Sequence, residues 1–212
     1  MSSGNRLSIS RLILVPAIIT LGITILRLVG ELQNWPSPLF GKAAGGGGAI
    51  VGISWLPFIF GPYFAVKLIK AGIRPASVGK TIGFGVLGFV LMGGGGTLAF
   101  ALSKGSLVLV LAGLIVIAAG AAVQFPAWSS LAKTLMAYAF SARIPVAIIM
   151  YFAMRGNWGT HYDAVPPEVG AMSLIAKWAF LGLAPQLVLW IAYTMSVGAL
   201  FGGIAAAIKK SG

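Results

Sequence analysis

"LILVPAIITLGITILRLVG", residues 12–30, is strongly apolar and carries no charge except Arg27 near its end. About 20 such residues cross the ~30 Å hydrocarbon core of a bilayer as one helix. Pro16 lies near the start, where a proline costs a helix little. Stretches of similar character recur along the chain. They predict spans at 12–30, 49–67, 81–102, 107–125, 133–154 and 185–208, with a possible interfacial helix over 168–184. The chain is 58% hydrophobic and only 8% charged, whereas a soluble domain carries roughly 25% charged residues. So few charges could not cover a globule in water. The expectation is an all-α integral membrane protein: one polytopic bundle of about six transmembrane helices over residues 1–212, some broken by glycine and proline. The short basic N-terminus resembles the start of a signal peptide. No small-x-small cleavage site follows its apolar run, which is therefore read as a retained helix.

The net charge of +12 would suggest nucleic acid in a soluble protein. Here the basic residues lie between or beside apolar segments, so anionic lipid headgroups are the expected partner and nucleic acid is not. A cytoplasmic N-terminus places Arg6, Arg11, Lys67, Lys70, Arg74, Lys80, Lys133, Lys209 and Lys210 on the inner face. Arg27, Lys42, Lys104, Arg155 and Lys177 then fall outside. The positive-inside rule thus predicts a multi-pass protein of the cell membrane with both termini cytoplasmic. There is no cysteine, hence no disulfide and no thiolate ligand.

Pro57 and Pro62, five residues apart in the second span, are expected to kink or interrupt it. Gly93, Gly94, Gly95 and Gly96 fall inside the third span. Such a run lets another backbone approach closely, or it unwinds and exposes carbonyls, as in transporter midplane sites. It is no phosphate loop, since neither a strand before it nor a Lys-Ser/Thr after it is present.

Arg143 stands deep in the fifth span, far from both Lys133 and Arg155. A central arginine costs at least ~2.5 kcal/mol on insertion scales and marks a functional site by default. No carboxylate lies at membrane depth to pair with it. Its acceptors would be carbonyls loosened by Pro145, an outer-loop acid folding inward, a lipid phosphate, a bound anion, or a partner protein's acid.

The segment "RGNWGTHYDAVPPE", residues 155–168, gathers Arg155, the only histidine, His161, and the acids Asp163 and Glu168. Trp158, Tyr162, the glycines and Pro166-Pro167 suit a wet interfacial loop, with Glu168 near the start of the next helix. The alternative is a proton relay or substrate gate built on His161 and Asp163. The spacing matches no metal motif, so no metal site is expected. No nucleophile elbow or intramembrane acid pair occurs, no residue is assigned a catalytic role, and nothing names a cofactor.

Three functions follow. The favoured one is an integral membrane subunit with a structural or assembly role in a larger complex, joined to partner subunits or to itself through glycine-rich faces. The alternative is a small transporter or channel for an anion or lipid-like substrate, using Arg143 and broken helices. An enzyme acting through His161 and Asp163 comes third.

Overall fold

The computed structural model describes residues 7–46, 49–167 and 169–209. Among them the chain is helical and contains no strand. Helix α1 runs Ile9–Leu32, α2 is the short turn Ser37–Phe40, α3 is Leu56–Lys70 and α4 is Val78–Gly96. A π-helical turn, Thr97–Ala101, extends α4. Helix α5 is Leu107–Ala122 and α6 is Ser129–Gly156. Helix α7, Leu174–Lys177, passes through π-helical turns Trp178–Leu183 and Pro185–Leu189 into α8, Trp190–Ile208.

Four helical runs are long and apolar enough to span a membrane: Ile9–Leu32, Val78–Ala101, Ser129–Gly156 and Leu174–Ile208. The six expected from sequence are therefore corrected to four among the described residues. The physical reason is length. The 49–67 stretch becomes helical only at Leu56, because Gly52 and the following turn precede Pro57 and a proline is best placed in a first turn. The 107–125 stretch ends at Ala122, just before Pro126. The resulting 15- and 16-residue helices reach only about 22–24 Å. The last run is instead continuous for 35 residues, from Leu174 to Ile208.

Outward-facing side chains such as Ile18, Val90, Val108 and Ile115 are exposed and apolar. In water such a surface would be an aggregation patch; lipid is its matching solvent. The chain is a multi-pass helical membrane protein.

Helix α8 is the hub, packing against α3, α4, α5 and α6. It runs parallel to α3, where a Cβ at Gly61 would fall on the Gly198 backbone and Gly202 sits 3.3 Å from the Ala65 methyl if given a Cβ. It runs antiparallel to α4, with Gly85 against Leu200 and Gly203 against Ile82. Phe60, Phe64 and Tyr138 form an aromatic knot between α3 and α6, with centroids 5.3 Å and 5.5 Å from the tyrosine ring. Thr20 donates to the Pro16 carbonyl at 2.7 Å, so Tyr138 donates to Thr20 at 2.8 Å and ties α6 to α1. Pro16, Pro62 and Pro145 all lie inside continuous helices. Gly93–Gly96 stay helical too, and only Gly95 meets a neighbour, the Gly113 carbonyl on α5.

Candidate functional site

Helices α1 and α6, residues 45–46 and 52–54, the 157–167 loop and the π-helical turns line a cavity of about 390 Å³. That lies within the size range of small-molecule pockets. Its walls are mostly apolar: Ile53, Phe100, Val146, Met150, Leu181 and Leu189. Two arginines and one histidine interrupt them: Arg27, Arg143 and His161.

Arg143 is 4% exposed. Its Nη1 reaches the Gln186 Oε1 only at 3.4 Å, and its Nε has no partner. Its guanidinium lies 4.5 Å over the Trp190 ring, a favourable but incomplete substitute for a counter-charge. The carbonyls near Pro145 do not serve it. Among the described residues no carboxylate pairs with Arg143. Gln186 is held from the other side, its Nε2 3.7 Å from the Met150 sulfur.

Gln186 owes its position to the widened turns on either side of Pro185. A proline has no N–H and its ring crowds the carbonyl four residues back, here Leu181. Widening the helix relieves that conflict, and such turns recur at functional sites. Trp178 fixes the near end by donating Nε1–H to the Ala147 carbonyl of α6 at 2.8 Å.

The second cluster is built on Glu31, which is fully buried. Arg27, one turn earlier on the same face of α1, donates from Nε to Oε1 at 2.8 Å. The His161 backbone N–H donates to Oε2 at 2.8 Å, and the His161 Nδ1 meets Oε1 at 2.5 Å. Arg27 Nη2 also donates to the Gly41 and Gly46 carbonyls, each at 3.1 Å. Gly46 has φ +74°, and a Cβ there would lie 3.0 Å from the His161 ring. Only glycine lets the segment turn there and touch both groups. Tyr162 completes the cluster, donating to the Thr24 carbonyl at 3.2 Å. Burial pushes the Tyr162 hydroxyl well above its ordinary pKa. Burial likewise holds the His161 imidazole below its usual value, opposed by its bond to Glu31.

The sequence-derived candidates separate accordingly. Arg143 and His161 line one cavity. Asp163 does not join them: it accepts from Gly159 N at 2.9 Å, Thr160 N at 2.7 Å and Thr160 Oγ1 at 2.6 Å, closing its own loop. Arg155 is exposed in the last turn of α6, and Glu168 lies outside the described residues. Gly93, Gly94 and Gly96 face nothing within 4 Å, and Pro57 and Pro62 sit in α3 away from the cavity. Pro145 is in α6, two residues from Arg143. Among the described residues no three metal-ligating side chains come together.

From sequence Arg27 falls on the outer face without a partner and Glu31 has no role, so the pair they form is a finding of the structure. Their four-residue spacing was the available signal. The chain matches no protein-family model, no curated protein and no solved structure.

Proposed function

We propose that the protein is a small transporter for an anion with an apolar body, held in the cavity by Arg143. The observation that carries this is the guanidinium itself: buried, lining a cavity, with Nε unpartnered and no described carboxylate beside it. A desolvated cation of this kind is stabilised by a bound anion. The apolar walls suit the rest of an amphiphile, and the cavity lies at one end of a membrane bundle. With the N-terminus cytoplasmic, as the distribution of basic residues favours, that end faces outward. The exposed Lys67, Lys70, Arg74 and Lys80 then meet anionic headgroups at the inner face.

Decanesulfonate is a suitable probe, because its headgroup stays ionised. In protein-containing vesicles its flux and binding should fall at least tenfold in Arg143→Gln. Equal flux in wild type, variant and empty vesicles would refute the transporter.

A second reading is the assembly subunit. Gly93, Gly94 and Gly96 leave a smooth face on α4, and only 22% of that span's apolar window is buried. Small residues of this kind admit a neighbouring helix. Gentle detergent extraction should then recover the chain with other proteins, or with itself, in fixed ratio; a monodisperse monomer would rule this out.

A further inference from the structure

We propose that His161, seated on Glu31, is a proton-binding site of the same cavity, so that each anion is taken up together with one proton. This rests on the anion-binding reading above.

The geometry fixes the tautomer. Glu31 accepts from Arg27 Nε and the His161 backbone N–H, and is the anionic partner of a buried arginine. A carboxylate so engaged accepts from His161 Nδ1, which therefore carries the ring proton. The lone pair is left on Nε2. That atom lies beside Gly46, 3.4 Å from where a Cβ would stand, and Gly46 and His161 both line the cavity.

The charges facing the ring set when Nε2 takes a proton. From α1 come Glu31 and Arg27; from its own loop comes Asp163, whose oxygens are committed to Gly159 and Thr160. The Tyr162 ring lies beside the imidazole, tilted by 42° with centroids 3.8 Å apart, and Arg143 of α6 lines the same cavity. Lys42, in the stretch before Gly46, donates instead to the Asn34 side chain. The cavity lining thus carries two arginines against one paired carboxylate, and a second uncompensated positive charge on His161 is disfavoured. Burial acts in the same direction. A bound anion reverses the balance. Anion and proton then bind together: the neutral imidazole takes a proton at Nε2, the anion adds one negative charge, and both leave on release. No electrons move. Linkage is reciprocal, so the anion that raises proton affinity is itself bound more tightly as pH falls.

His161 is the only histidine, so histidine-selective nitrogen labelling gives a single pair of ring signals. The test uses full-length protein in phosphatidylcholine nanodiscs, with decanesulfonate as the anion. The expected result is an Nδ1–H tautomer in the free protein, and a His161 midpoint at least one pH unit higher with decanesulfonate bound. Decanesulfonate affinity should rise by up to about tenfold per pH unit on acidification between the two midpoints. His161→Gln should still bind decanesulfonate but without this pH dependence. If binding depends on Arg143 while the His161 midpoint stays fixed, or if His161→Gln keeps the wild-type pH profile, the proton site is refuted and the anion site stands. If decanesulfonate does not bind the wild type at any pH, both fall. The wild-type titration decides the matter even if His161→Gln does not fold.

Discussion

Replacing Glu31 by glutamine tests whether the cluster at the end of α1 is held by charge. The carboxylate is fully buried and accepts from three donors. Removing one member of a buried ion pair costs about 3–5 kcal/mol, because the other charge is left uncompensated. Arg27 would keep its bonds to the Gly41 and Gly46 carbonyls, which places the expected cost at the low end, about 3 kcal/mol. That corresponds to roughly a 150-fold change in the unfolding equilibrium. Glutamine preserves shape and one acceptor, but its amide N–H₂ must face donors. The assay is unfolding in mixed micelles, followed by the fluorescence of the six tryptophans. The double variant Arg27→Met with Glu31→Gln removes both charges, and should cost less than the sum of the two single changes by about 0.5–3 kcal/mol, the coupling expected of residues in contact. A Glu31→Gln protein within about 0.5 kcal/mol of wild type, the usual range of surface substitutions, would refute the buried-pair account.

Three further outcomes can be checked on the same preparation. His161 has a folded pKa below its ordinary 6.5, so the unfolded chain binds more protons in that window; stability should decline as pH falls below 6.5 and level off below the folded value, and unfolding of His161→Gln should be flat there. Gly94→Ala has open space and should stabilise by up to about 1 kcal/mol through helix propensity, while Gly95→Ala places a Cβ 2.6 Å from the Gly113 carbonyl and should lower the unfolding midpoint. Asp163→Ala removes the acceptor of three loop bonds and should cost about 1–3 kcal/mol with faster amide exchange at Gly159 and Thr160.

The membrane class and the positions of the long helices were legible because lipid burial writes itself as unbroken apolar length. The place of Arg143 within the long helix α6 was legible for the same reason. The number of spans was not, since the Gly52–Pro57 segment is apolar yet cannot be helical before Leu56. Hydropathy counts such residues whatever their backbone does. The histidine loop was visible as a concentration of polar groups, but its partner lies 130 residues away on α1. Only the folded chain brings them together. Asp163 looked like that partner because it was near in sequence, and that same proximity lets it close its own turn instead. The π-helical turns around Pro185 left no periodicity to read; a single proline in a long apolar run marked their place.

The continuous run Leu174–Ile208 carries a last consequence. At about 1.5 Å per residue its 35 residues come to about 52 Å, far beyond a ~30 Å hydrocarbon slab. A helix that overshoots its bilayer tilts, and tilts more as the bilayer thins. The widened turns bearing Gln186 lie on that helix, at its cavity end. Acyl-chain length is therefore expected to bear on the site, since a change of tilt would shift the turns that bring Gln186 to Arg143.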